Sequence, residues 1–276
     1  MLLKYTPDRI VIQRELYISD LDTTLQNVYN STHECIFKKR IKSMKIIITA
    51  GGTSERIDDV RTITNSSTGR LGFAIGTAFA EAAGNGENVE KIYYLHGVRA
   101  AYPQHDKVQP VMVEGVRDLQ RELGRLLETE KIDAVIHAMA VSDYMVNEVT
   151  TLDRIRGEES EDSQDLSGNK ISSDIDDLVI HMKRAPKVIN SIKKLSPDSL
   201  LVGFKLLSSV PHEELISVGK RLMAKNNCDF VLANDLKEIG KDFHKGYLIH
   251  RDGTYDIMET NEEIAAMIVK RVMESC

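Results

Sequence analysis

The sequence predicts an α/β fold: a Rossmann-like, doubly wound, mostly parallel sheet with a small C-terminal hairpin and helix. Apolar runs such as Ile46–Ile48 and Ala134–Ile136 alternate with stretches in which apolar residues recur every three or four positions. Regular alternation of strands and helices is typical of parallel sheets that carry helices on both faces. Near the C-terminus, Asp252-Gly253 between two short apolar runs predicts a hairpin.

Each element has a local signal. The first strand ends at Gly51-Gly52, residues 54–61 are expected as a polar loop, and a helix with an apolar face over 71–82 stops at 84–86. Pro110 places the third strand at an edge of the sheet, because proline cannot donate to a strand ladder. The other strands are expected at 92–95, 108–113, 133–138, 177–183, 200–206, 228–235, 247–250 and 255–258. The other helices are expected at 116–127, from 185 with Pro186 in the first turn, at 213–227 and at 264–272.

Composition limits the class of protein. The chain has 276 residues and a net charge of −6, which argues against a dedicated nucleic-acid binder. No apolar run approaches membrane-spanning length. The three scattered cysteines, Cys35, Cys228 and Cys276, favour a reducing compartment and a cytoplasmic location. We expect residues 1–43 to form an N-terminal extension, and 44–276 a single domain with a mobile acidic loop near 150–173.

The stretch after the first strand has the composition of an anion site. The hydroxyls of Ser66, Ser67 and Thr68 directly precede a helix, where they are expected as caps, and the start of a helix favours negative charge. Gly69 lets the backbone approach closely, and Arg70 adds a positive charge. A cap and a tight turn alone would explain the same residues. Neither the P-loop pattern nor the dinucleotide glycine fingerprint is present, so the type of anion stays open.

A longer series of motifs indicates which protein family the sequence resembles. Residues 50–55 read AGGTSE, residues 64–74 read TNSSTGRLGFA, and residues 138–144 read AMAVSDY. This series resembles the phosphopantothenate–cysteine ligase family in its stand-alone form, and the resemblance runs from Lys45 nearly to the C-terminus. At 170–173 the sequence reads KISS, where bacterial two-domain members commonly have K-x-K-K.

The resemblance implies a role for particular residues. Asn65 and Lys170 are the expected catalytic residues, with Asn65 at the reacting centre. The expected substrate and phosphate contacts are Gly52, Thr53, Arg61, Ser66, Ser67, Thr68 and Gly69. The expected nucleotide contacts are Ala138, Ala140, Asp143, Lys170, Gly203, Phe204 and Lys225. Taken without the resemblance, Asp143 would cap a turn, Phe204 would belong to the core and Lys170 would be an ordinary surface lysine. No metal ligands are assigned.

The resemblance also implies a reaction. The family joins 4'-phosphopantothenate to L-cysteine through an acyl-nucleotide, with release of pyrophosphate. The expected co-substrate is CTP, favoured over ATP, together with Mg²⁺, and a homodimer is expected. Nucleic acids and membranes are not expected as partners.

Two alternatives remain at this stage. Ser67-Thr68-Gly69 is also similar to the phosphate loop of flavin-binding, flavodoxin-like proteins, although more than ten residues separate it from the first strand. A nucleotide-binding module without catalytic activity is the other alternative.

Overall fold

The architecture was determined from a computed structural model that describes residues 43–157, 166 and 170–276. Nearly all of the predicted extension, residues 1–42, lies outside the described residues. So do 158–165 and 167–169, in the centre of the predicted acidic loop. Within the described part of the chain, no helix combines the length and the apolar character needed to cross a membrane.

Twelve strands and six α-helices are described. The strands are β1 Met44–Ala50, β2 Ser54–Arg56, β3 Thr62–Thr64, β4 Val89–Gly97, β5 Val108–Val113, β6 Ala134–His137, β7 Tyr144–Thr151, β8 Leu178–Arg184, β9 Leu200–Leu207, β10 Phe230–Asp235, β11 Gly246–His250 and β12 Tyr255–Met258. The helices are α1 Arg70–Gly84, α2 Val116–Thr129, α3 Leu152–Arg156, α4 Ile189–Leu195, α5 His212–Asn226 and α6 Asn261–Ser275. A 3₁₀ turn spans Leu236–Glu238.

The predicted fold class is confirmed. Eight strands form one sheet in the order β12-β11-β10-β9-β6-β1-β4-β5. The six strands from β10 to β5 pair in parallel, while β11 and β12 add an antiparallel hairpin. From β1 the chain builds first toward β5 and then, from β6 onward, in the opposite direction, so β1 and β6 flank the switch point. Pro110 lies in the edge strand β5, as predicted.

The two faces of β1 explain why this strand is almost entirely apolar. Ile46 and Ile48 pack with Ile75 and Phe79 of α1 on one face, where α6 also contributes its apolar side chains. Ile47 points to the other face and joins the cluster that α2, α4 and α5 cover. A strand buried on both faces has no polar side to show, which is the composition expected of a central parallel strand.

The structure differs from the sequence-based prediction at several elements. β7 and α3 were not predicted, and residues 150–156 of the expected acidic loop form the end of β7 and α3. Part of the polar stretch 54–64 forms a small hairpin from β2 and β3, which are too short to show an alternating pattern. The helix expected from Ala185 begins instead at Ile189, so Pro186 precedes it. The N–H of Ala185 donates to the carbonyl of Asp143 over 2.8 Å, which prolongs the β7–β8 pairing and delays the helix.

His137 provides a stability prediction. It is buried at the end of β6, with Nδ1 3.0 Å from Thr49 Oγ1, and burial lowers its pKa to about 4. The unfolded chain binds this proton below about pH 6.5, whereas the folded chain does not. The free energy of unfolding should therefore fall as pH drops from 6.5 to 4, by up to about 1.4 kcal/mol per unit from this group.

Denaturant unfolding of His137→Gln across this pH range should give a shallower pH dependence than the wild type. The matched control is His181→Gln, because His181 is exposed on β8. Equal slopes for His137→Gln and the wild type would contradict the prediction.

Candidate active site

The carboxyl ends of β1 and β6 continue side by side beyond the sheet. The N–H of Ala138 donates to Thr49 O over 3.2 Å, and that of Ala140 donates to Gly51 O over 2.8 Å. In return, the N–H of Thr53 donates to Ala140 O over 3.1 Å. This pairing lies at the switch point of the sheet, where open α/β folds bind ligands in a crevice, and it would form the floor of that crevice. We call it the switch-point crevice.

Asn65 is attached to this floor. Its backbone N–H donates to Thr53 O over 3.3 Å, and its side-chain Nδ2 donates to Ala140 O over 2.8 Å. Thr53 is fully buried, and its hydroxyl accepts the N–H of Ser142 over 2.9 Å. The structure thus brings together Gly52, Thr53, Asn65 and Ala140. Among the described residues, Asn65 Oδ1 has no hydrogen-bond partner, so part of the amide remains available to a ligand.

The expected hydroxyl cap of α1 is not observed. The N-cap is Gly69, with φ of 77°, and no side chain of the described residues caps the helix. Ser66, Ser67 and Thr68 are exposed. Two observations favour glycine at position 69. Its φ is left-handed, and an added Cβ would lie 2.9 Å from Ala100 Cβ and 3.1 Å from Gly51 N in the turn after β1. The three hydroxyls therefore remain free to face a ligand rather than the helix.

Gly97, a residue that the sequence analysis missed, supports Gly52 from the side of β4. A Cβ at Gly97 would lie 2.4 Å from Gly52 O, a contact that no side chain could avoid by rotating. The signal in the sequence is a glycine at the end of a buried strand, opposite the turn of its neighbour. Several glycines here thus serve the close packing of the chain on itself.

Arg61 does not point freely into solvent. Its guanidinium binds the carboxylate of Asp58, and Nη2 also donates to Ile171 O over 3.0 Å. Asp58, which the sequence analysis overlooked, has a fully buried side chain, and the Arg61 guanidinium beside it holds the pKa of that carboxyl well below its usual range. Lys170 is exposed and directly precedes Ile171 in the chain.

The nucleotide residues expected from the resemblance do not all lie at this edge. Asp143 lies shortly after Ala138 and Ala140 of the crevice floor. Its carboxylate forms an ion pair with Lys187, a lysine to which no role was assigned. Gly203 pairs with His137 at the end of β6, so the partly buried Phe204 lies just beyond, toward the carboxyl edge. An added Cβ at Gly203 would lie 3.1 Å from Cys228 Sγ, so glycine also serves core packing there.

Lys225 is the exception. It lies in the last turn of α5, and α5 runs back from the carboxyl end of β9 to the amino end of β10. Asp229, which follows α5, accepts the backbone N–H of Leu201 near the start of β9. Lys225 is therefore at the amino edge of the sheet, away from the crevice. The direction of the crossover helix could have shown this from the sequence.

The donors present fit a metal that arrives with a nucleotide. No group of three or more His, Cys, Asp or Glu side chains suited to a metal ion occurs in residues 43–157, 166 and 170–276. Mg²⁺ in nucleotide sites is commonly held by substrate phosphates, water and one or two carboxylates, and so needs no such group. Asp143 is the exposed carboxylate closest in sequence to Ala138 and Ala140 of the crevice floor.

Comparison with known proteins shows the family of this chain. Residues 41–276 match the family model described as the DNA/pantothenate metabolism flavoprotein C-terminal domain. The chain belongs to this family. A relative from Thermococcus kodakarensis, the coenzyme A biosynthesis bifunctional protein CoaBC, is 32% identical over 78% of this chain and 47% of its own length. The chain spans about half the length of the curated CoaBC relatives that it matches.

Two solved structures have a similar fold, and one of them is named the DNA/pantothenate metabolism flavoprotein. The protein of that name from Streptococcus pneumoniae is 31% identical, with a TM-score of 0.74 over 85% of this chain and 100% of its own. A Cab2 mutant in complex with phosphopantothenate-cysteine gives a TM-score of 0.62 over 92% of this chain and 94% of its own. At 15% identity, that second likeness shows the fold alone.

Proposed function

We propose that this chain is a phosphopantothenate–cysteine ligase of coenzyme A biosynthesis. The observation that carries the proposal is the attachment of Asn65 to the switch-point crevice through Thr53 and Ala140, in a chain of this family. The curated relatives named for coenzyme A biosynthesis support it.

The reaction has two steps. The carboxylate of 4'-phosphopantothenate attacks the α-phosphorus of a nucleoside triphosphate, forming an acyl-nucleotide and releasing pyrophosphate. The amine of L-cysteine then attacks the acyl carbon, and the nucleoside monophosphate leaves. Holding both partners in the crevice turns two bimolecular encounters into positioned reactions. The remaining N–H of the Asn65 amide can donate to the acyl oxygen as that oxygen gains charge.

The other residues bind and orient. Ser66, Ser67, Thr68 and Gly69 present hydroxyls and a helix start to one phosphate group. Lys170 neutralises the triphosphate, Asp143 contacts the nucleotide, and Phe204 lies beside the base. A bound Mg²⁺ would spread the negative charge of the triphosphate and so ease the repulsion between the two anionic substrates. We propose CTP over ATP as the nucleotide.

The experiment that tests this function is pyrophosphate release by the full chain, with CTP and ATP compared and the product mass measured. Release should require both the nucleotide and phosphopantothenate, and addition of cysteine should yield phosphopantothenoylcysteine. Release without phosphopantothenate, or none with either nucleotide, would contradict the ligase proposal. Binding of a nucleotide without turnover would favour a non-catalytic module, and a flavin absorption spectrum would favour the flavodoxin-like alternative.

Lys170→Ala should raise KM for the triphosphate by about tenfold, because one charge-assisted contact to a phosphate is lost. KM for cysteine should change little. Lys183→Ala, an exposed lysine on β8, is the matched control and should behave as the wild type. Unchanged triphosphate kinetics in Lys170→Ala would remove Lys170 from the nucleotide site.

The assembly and the limits of the domain belong to the same proposal. Within the described chain, β7 and β8 form a two-stranded sheet with no third strand on either edge, and unpaired edges can bind a second copy. We propose a homodimer; a monomer in sedimentation experiments would exclude it.

Residues 44–276 would form the ligase domain in the cytoplasm, with 1–43 as an extension.

A further inference from the structure

Asp58 lies in the turn between β2 and β3 and holds that turn through one of its oxygens. Oδ1 accepts the backbone N–H groups of Val60 and Arg61, over 2.9 and 2.7 Å. The carboxylate is buried, although it lies in a small polar hairpin. Its other oxygen is therefore directed away from solvent and into the protein.

Oδ2 reaches a distant part of the chain. It accepts the N–H of Ile171 over 3.1 Å and the Nε–H of Arg61 over 2.9 Å. Arg61 in turn donates from Nη2 to Ile171 O over 3.0 Å. The pair thus holds both backbone polar groups of Ile171, a residue 113 positions from Asp58 whose side chain is itself buried.

These contacts connect the two residues expected to be catalytic. Asn65 directly follows β3, and its amide is bonded to the crevice floor. Lys170 directly precedes Ile171, so the bonds to Ile171 limit where the Lys170 side chain can start. We propose that Asp58 is a positioning residue that fixes Lys170 relative to Asn65 by binding the backbone of Ile171. The inference rests on the proposed ligase function for its catalytic consequence alone.

Asp58 itself does not bind substrate. Its carboxylate accepts from five N–H groups, those of Val60, Arg61 and Ile171. A buried carboxylate with this many donors has no lone pair to offer a ligand. Its effect on catalysis passes through the residues that it holds, and the proposal assigns the larger part to Lys170, which the first test measures.

The first test is a double-mutant cycle. Asp58→Asn keeps the shape of the side chain. Its amide presents either an NH₂ group or a weaker acceptor oxygen to the N–H donors of Val60, Arg61 and Ile171. We expect kcat/KM for the nucleotide to fall about tenfold in Asp58→Asn, as a misplaced contact would cause. In the Lys170→Ala background the same change should cost less than about twofold, because the group it positions is gone. Equal effects in both backgrounds would overturn the inference.

The second test does not depend on activity. Trypsin cleaves after lysine, and the N–H of the Lys170–Ile171 peptide bond is the group that Asp58 binds. In the full chain, Asp58→Asn should be cut at this bond about tenfold faster than the wild type, since cleavage follows local opening. Cleavage after Arg184 provides an internal reference. Asp59→Asn, an exposed neighbour, is the matched control and should match the wild type.

The two tests separate the inference from the ligase proposal. Unchanged cleavage after Lys170 in a folded Asp58→Asn variant would overturn the inference, whatever the turnover. Faster cleavage in a chain whose wild type shows no nucleotide turnover would contradict the ligase proposal while supporting the contact. Thermal unfolding of each variant shows whether it is folded.

Discussion

Replacing Asn65 with alanine should lower the rate of amide formation by about 10²–10³ while the protein stays folded, which is the loss typical of a removed oxyanion donor. The amide is held against Ala140 O, so its orientation is set before substrate binds. Losing that bond should reduce the free energy of unfolding by only about 1 kcal/mol. Product formation at saturating substrate and thermal unfolding measure the two effects separately.

The matched control is Asn147→Ala. Asn147 is also an asparagine in a strand pair, but it is exposed on β7. Among the described residues its side chain makes one hydrogen bond, to His181 Nδ1 over 3.4 Å. Its variant should turn over at the wild-type rate. If Asn65→Ala turned over within about threefold of the wild-type rate, the loss would be far smaller than expected. Asn65 would then be excluded from the mechanism.

Gly97→Ala should also reduce turnover by about 10², although residue 97 contacts no reacting group, because a shift of about 1 Å in a positioned site can cost this much. The new methyl group, whose position is fixed by the backbone of residue 97, would lie 2.4 Å from the backbone oxygen of Gly52. Either β4 or the Gly52 turn must therefore move, and the Gly52 turn is part of the crevice floor. The free energy of unfolding should fall by about 1–3 kcal/mol, as in other overpacked sites.

Gly124→Ala is the control for this substitution. Gly124 lies inside α2, where the nearest atom to an added Cβ is Leu195 Cδ1 at 4.0 Å. Alanine there should leave turnover unchanged and raise the free energy of unfolding by about 0.5–1 kcal/mol, since glycine is unfavourable within a helix. Wild-type turnover in Gly97→Ala would show that the Gly52 turn tolerates movement.

The main elements of the fold were predictable because their signals are local. The isoleucines of β1, the proline of the edge strand β5 and the Asp252-Gly253 turn each restrict the backbone where they stand. The small β2–β3 hairpin was missed for the opposite reason. Its three-residue strands carry no periodicity, and partners such as Glu114 O, which accepts the N–H of Ser54 over 2.7 Å, lie far away in sequence.

The sequence by itself determined the doubly wound sheet and the family pattern that contains Asn65, Thr53 and Ala140. The signals for the sheet and for the family each lie in short continuous segments of the chain. Only the tertiary structure decided that Gly69 and not a hydroxyl precedes α1, and that Asp58 holds Ile171. The physical reason is that a hydrogen bond or a steric contact depends on distance in space. Residues 113 positions apart in the chain leave no local trace of such a contact.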